Sequence, residues 1–114
     1  MTNSILAAAL MMIETGNRPL VGDHGRAIGP LQVHAGAVED VNRRFGTRYT
    51  LRDMMDRTKA AAVLDRYLWI YAQPSRLSRA VTDVDRARIW NGGPEGWRKK
   101  ATLAYAAKFM RTVK

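Results

Sequence analysis

The chain has 114 residues, with 19 Lys and Arg against 10 Asp and Glu, a formal charge of +9, and no Cys. That length suits a single domain spanning residues 1–114, able to bury roughly two-thirds of the surface its unfolded chain exposes, and the lack of Cys excludes disulfide frameworks and thiolate metal sites. The two histidines, His24 and His34, are too few for a zinc site, so no metal or cofactor is expected, and the charge points to an anionic partner: nucleic acid, acidic lipid or bacterial wall polymer.

No run of eighteen apolar residues occurs, so no membrane span is expected. The opening MTNSILAAALMMIETG resembles a signal peptide only superficially. It has no Lys or Arg ahead of its apolar segment and no small-x-small cleavage site, so it reads as a helix of the mature protein. Ser4 is expected to cap a helix over Ile5 to Glu14. Its Ala, Leu and Met content favours helix, and its apolar character on nearly all sides predicts a central, buried position. Gly16, Asn17 and Pro19 end it. Residues 20–33 carry three Gly and one Pro among Leu20, Val21, Ile28, Leu31 and Val33, which predicts a short irregular hairpin.

Ala35 to Phe45 places Val38, Val41 and Phe45 on one face between charges and stops at Gly46, the pattern of an amphipathic helix. Thr50 and Asp53 form a capping-box pattern for a short turn over Leu51 to Met55. A longer helix is expected from Thr58 to about Ala72, with Ala61, Leu64, Leu68 and Tyr71 on one stripe and Pro74 closing it. Asp83 or Asp85 begins the next, which runs through Ile89 and Trp90 into the breaker NGGPEG at 91–96. A last helix is expected from about Arg98 to Val113, with Leu103, Ala106, Phe109, Met110 and Val113 as its apolar positions. The fold class is therefore mainly α: about six helices, with one small β hairpin after the first.

Glu14 closes an apolar helix, near the negative pole of its macrodipole and against apolar neighbours. Both influences disfavour the carboxylate and raise its pKa. A carboxyl that keeps its proton near neutrality is what a general acid needs to protonate a departing glycosidic oxygen. The plainer alternative is a solvated helix-end residue. Asp23, in the turn VGDHG, has two readings as well. Asp before His-Gly is a good turn former, and a carboxylate nine residues after Glu14 is also placed to activate water or to stabilise an oxocarbenium-like transition state. His24 and His34 read as surface polar residues flanking the Gly-rich element.

At these positions the chain resembles the goose-type lysozyme and lytic transglycosylase group of the lysozyme-like superfamily. The resemblance is carried by Glu14-Thr15, by Gly29-Pro30-Leu31-Gln32-Val33, by Ile89-Trp90-Asn91-Gly92-Gly93 and by Tyr105, in order, with eighteen residues between Glu14 and Gln32. It spans about residues 5 to 110. Three departures stand out. Thr15 replaces a Ser but keeps the hydroxyl. Pro30 replaces Leu or Ala and removes a backbone donor. Trp90 stands where Tyr is common, offering an indole N–H and a larger face in place of a phenol hydroxyl.

The resemblance implies a lysozyme-like catalytic domain in which Glu14 is the catalytic acid. Gln32 would hydrogen-bond the sugar, with Thr15 beside the acid and Gly29 shaping the cleft floor. Trp90 and Asn91 would line the opposite wall, with Tyr105 reaching toward Glu14 from the last helix. Ordinary core packing remains the alternative for Trp90 and Tyr105. Arg98, Lys99, Lys100, Lys108, Arg111 and Lys114 load the C-terminal helix, either as its solvated face or as a hold on acidic wall polymers.

The implied activity is cleavage of the β-1,4 bond between N-acetylmuramic acid and N-acetylglucosamine in peptidoglycan, by hydrolysis or by lytic transglycosylation. A monomeric phage-type lysin or virion-associated enzyme is expected, made in the cytoplasm and acting on the wall. Two other classes compete. One is a basic helical nucleic-acid-binding module, which lacks a recognition-helix signature. The other is a non-catalytic lysozyme-like scaffold of a phage particle, against which the joint presence of Glu14 and Gln32 argues.

Overall fold

A computed structural model describes residues 1–114. Helix α1 spans Asn3–Thr15, and the antiparallel hairpin of β1 (Val21–Gly22) and β2 (Ala27–Ile28) follows. Helices α2 (Ala35–Phe45), α3 (Arg57–Tyr71), α4 (Pro74–Leu77), α5 (Asp83–Gly92) and α6 (Leu103–Thr112) complete the chain. It is mostly helical, with six helices and one two-stranded sheet after the first. No helix is long and apolar enough to cross a membrane.

Helix α1 starts two residues earlier than expected. The side chain of Thr2, not Ser4, accepts the amide of Ile5, so Ser4 lies inside the helix. Gly16 ends it in the left-handed conformation, at φ 62°, and its N–H caps the last carbonyls. The expectation of burial on all sides is corrected. Leu6, Ala7, Leu10 and Met11 are buried against α3 and α6, whereas Ile5 and Met12 face solvent. The apolar sequence thus supplies more greasy surface than the core uses. Each fully buried Leu contributes about 2 kcal/mol from removal of its surface from water.

Helix α2 has the bounds its pattern predicts, with Val38 and Val41 buried. Phe45 instead stands at the surface, edge-on to Trp69 with centroids 5.6 Å apart. The Thr50–Asp53 capping pair forms in both directions over a single 3-10 turn at Arg52–Met55. Asp56, rather than Thr58, caps α3 by accepting the Lys59 amide. The buried stripe of α3 is Ala60, Val63, Leu64, Tyr67 and Leu68, rotated from the one expected, so that Ala61 and Tyr71 lie at its margin. Pro74 does not simply close α3; it occupies the first turn of α4.

Thr82 caps α5 in a complete capping box with Asp85. The expected long C-terminal helix is shorter, because 3-10 turns at Gly96–Arg98 and Lys100–Thr102 precede α6. Those turns are held by tertiary bonds. Arg88 Nε donates to the Thr102 hydroxyl at 2.7 Å, that hydroxyl donates to the Gly96 carbonyl at 2.7 Å, and Arg88 Nη2 donates to the Lys99 carbonyl. Arg98, Lys99 and Lys100 therefore lie ahead of α6 and not on it. Its buried residues are Tyr105, Ala106 and Phe109, while Leu103, Met110 and Val113 are exposed. One cluster of 21 buried residues, drawn from every helix, from Leu31 and Val33 beside the hairpin, and from Met54 and Ala72 next to α3, forms the core.

Candidate active site

The end of α1 and the hairpin are joined by Thr15. Its buried hydroxyl donates to the Pro30 carbonyl at 3.0 Å and accepts the Arg18 amide at 3.0 Å. This strut fixes the turn at residues 29–33 against the helix that carries Glu14. Gly29, at φ 81°, lies against the turn after α2: a Cβ there would stand 1.8 Å from the Met54 carbonyl oxygen. Neither Thr15 nor Gly29 lines the cavity described next; both set the position of residues that do.

A cavity of about 390 Å³ opens between the hairpin, the end of α1, the start of α2 and the end of α5. Its lining includes Glu14, Asp23, Gln32, Trp90 and Asn91, together with His34 and Tyr67. Residues 14 to 37 supply most of the lining, with Tyr67 from α3 and residues 90 to 93 from the end of α5 completing it.

Glu14 is half-buried at the C-terminal end of α1. Desolvation raises its pKa above the ordinary carboxyl value, against the hydrogen bond from Tyr105 and the neighbouring His34 and Lys108, which pull it down. Tyr105 Oη donates to Glu14 Oε2 at 2.8 Å, a link across 91 residues between α6 and α1. Burial, and then the neighbouring carboxylate, push the Tyr105 phenol far up, so it serves as a donor that holds its proton.

Gln32 adopts the left-handed conformation, at φ 52°, and spends both amide hydrogens on the hairpin backbone, donating to the Leu20 and Gly29 carbonyls at 3.0 Å each. Its Oε1 lies over Gly22, where a Cβ would be 2.4 Å away. Gln32 is therefore a rigid element of the wall, with its carbonyl oxygen left to accept from a ligand.

Trp90 donates its indole N–H to the Leu31 carbonyl at 3.3 Å, tying α5 to the segment after the hairpin. Its ring meets Tyr67 edge-on at 5.5 Å. Burial pushes the Tyr67 phenol up to about 12, so it too faces the cavity as a neutral hydroxyl. Trp90 and Tyr67 thus offer the cavity an aromatic surface with polar atoms at its edge. The arrangement suits a sugar ring, which has apolar faces and a polar rim.

Asp23 and His24 both have positive φ, 48° and 55°, within the 3-10 turn between β1 and β2. Asp is among the residues that tolerate this region. The Asp23 carboxylate pairs with His34 Nε2 at 3.0 Å and with Arg26 Nη2 at 3.5 Å. The hydrogen bond from His34 is the main influence holding its pKa below the usual carboxylate range.

Among the polar lining residues, His34 was read from the sequence only as a surface residue and Tyr67 was passed over. His34 had a readable signal. In Leu31-Gln32-Val33-His34 apolar and polar residues alternate in the sequence; Leu31 and Val33 are fully buried and Gln32 and His34 line the cavity, although residues 29–32 form a turn and not a strand. Tyr67 had none, since its helix reads equally well as core. His24 lines no part of the cavity. No group of three or more His, Asp or Glu side chains is gathered that could hold a metal ion. No family model matches the chain, and no curated protein matches it.

Proposed function

We propose that the chain is a peptidoglycan-cleaving glycosidase, in which Glu14 protonates the leaving oxygen of the β-1,4 bond between N-acetylmuramic acid and N-acetylglucosamine. The observation that carries this reading is the half-buried Glu14 carboxyl facing the cavity, raised in pKa by desolvation and held by the Tyr105 hydroxyl at 2.8 Å. A carboxyl so placed keeps a proton to give and is fixed in the direction in which it gives it.

The remaining groups suit a glycan. Trp90 and Tyr67 supply an aromatic face, and Gln32 Oε1 and the exposed Asn91 amide supply polar contacts for an N-acetyl or hydroxyl group. Lys108 and Arg111, on α6 beside Ile13, add positive charge next to the acid's end of the cleft. There they would favour a polymer bearing lactyl and peptide carboxylates. At this level the reading covers both hydrolysis and lytic transglycosylation, since each begins with the same proton transfer from Glu14.

The test is incubation with purified peptidoglycan, with the released fragments identified by mass. Disaccharide-peptide muropeptides cut at the muramic acid C1 support the reading. Intact glycan strands at micromolar protein would end it.

A further inference from the structure

In the cavity that Glu14 lines, Asp23 and His34 are joined without any protein ligand for the outer ring nitrogen. His34 Nε2 lies 3.0 Å from Asp23 Oδ2, and its Nδ1 makes no hydrogen bond within the protein. Both residues line the same cavity as Glu14, and both are about half-exposed, His34 at 57% and Asp23 at 48% of the side chain, so water reaches them.

Of the two, Asp23 is the poorer proton acceptor. One of its oxygens faces His34 and the other Arg26, and these partners hold it below the usual carboxylate range. His34 keeps a free lone pair when Nε2–H points at Asp23, because the carboxylate selects that tautomer and leaves Nδ1 as the acceptor. The unusual backbone of Asp23, at φ 48°, is consistent with a carboxylate aimed by its turn.

We propose that His34, oriented by Asp23, is the base that activates the attacking water, which makes the reaction a hydrolysis. This rests on the reading of Glu14 as the acid. The water gives one proton to His34 Nδ1 while its oxygen bonds to the muramic acid C1. The C1–O4 bond breaks, and O4 leaves with the proton from Glu14. The products are a reducing muramic acid end and a free 4-hydroxyl, and solvent returns Glu14 and His34 to their starting protonation. Asp23 is a positioning residue that acts through His34. It is therefore neither a second catalyst in its own right nor only a turn former.

His34 is exposed and makes no capping bond to α2, so its replacement leaves the helix start intact. The experiment compares wild type, His34→Ala, Asp23→Asn and the control His24→Asn on purified peptidoglycan, with and without sodium azide, a nucleophile that needs no base. The expected wild-type product carries reducing ends. His34→Ala lowers kcat on the order of 10²-fold or more with KM little changed, and Asp23→Asn lowers it less. Azide restores cleavage in both as glycosyl azide, while His24→Asn matches wild type. Wild-type activity retained in His34→Ala overturns the inference, as does a loss that azide leaves unrepaired. Anhydromuramyl ends alone from wild type overturn it while leaving Glu14 as the acid. No release by wild type removes both.

Discussion

The Tyr105 hydroxyl donates to Glu14 Oε2 at 2.8 Å, joining the last helix to the end of the first at the wall of the cavity. A donor to the ionised carboxylate favours that form, so the bond partly offsets the larger upward pull of desolvation on Glu14. Tyr105→Phe removes it. The Glu14 pKa then rises further, and the alkaline limb of the activity profile moves to higher pH. The lost buried bond costs about 1 kcal/mol of stability. A pH–rate profile with an unmoved alkaline limb contradicts this account of the pair.

Glu14 itself is predicted to weaken the fold near neutrality. Its folded pKa is raised, so the folded state binds the proton more tightly than the unfolded chain. That stabilisation is complete below the unfolded value and is lost as pH rises through the folded one. Glu14→Gln keeps an acceptor for Tyr105 and carries no charge to bury. Its Tm is expected to exceed that of wild type at pH 7 and to converge with it near about pH 3, as measured by thermal unfolding. A lower Tm at pH 7 would count against burial as the cause of the shift.

Gly29 holds the segment that presents Gln32. At φ 81° and with the Met54 carbonyl 1.8 Å from where a Cβ would stand, Gly29→Ala meets both backbone strain and a backbone clash. A loss above about 2 kcal/mol is expected. Gly46→Ala, also at positive φ but with open space around it, should cost only about 1 kcal/mol. Urea unfolding of the two variants checks the difference, and equal losses would remove the close approach to Met54 from the explanation.

How much of this was legible beforehand depends on how local each cause is. The bounds of α2 and the Thr50–Asp53 pair are set by residues within a few positions of each other, and they read directly. The choice of Thr2 over Ser4, or Asp56 over Thr58, is a choice between neighbouring caps of similar chemistry. The start of α6 was not legible, because Thr102 and Arg88 organise the preceding turns across fourteen residues. In the site, Glu14 stood out through its place at the end of an apolar helix, and Gln32 through the resemblance alone. The pairing of Asp23 with His34 needed the hairpin to fold back over eleven residues, and Tyr67 needed the rotation of α3.

Asp85 should govern part of the acid stability. Its buried carboxylate receives two bonds from Arg79, at 2.6 and 2.8 Å, and the Thr82 amide, and the Arg79 bonds lead in holding its pKa down to about 2. A depressed carboxyl contributes stability above its unfolded pKa and loses it as pH falls through the folded value. Asp85→Asn is expected to cost about 1–2 kcal/mol near neutrality, with the gap to wild type closing as pH falls from about 4 toward 2. A gap that stays constant with pH would show that the charge plays no part.

The central claim is that the proton of Glu14 breaks a glycosidic bond. The most direct measurement compares wild type with Glu14→Gln on purified peptidoglycan, counting new glycan ends by mass, with pelleting on the same walls to read binding. The account predicts that Glu14→Gln still binds the wall but releases muropeptides at least about 10²-fold more slowly. Equal release by the two proteins would contradict it.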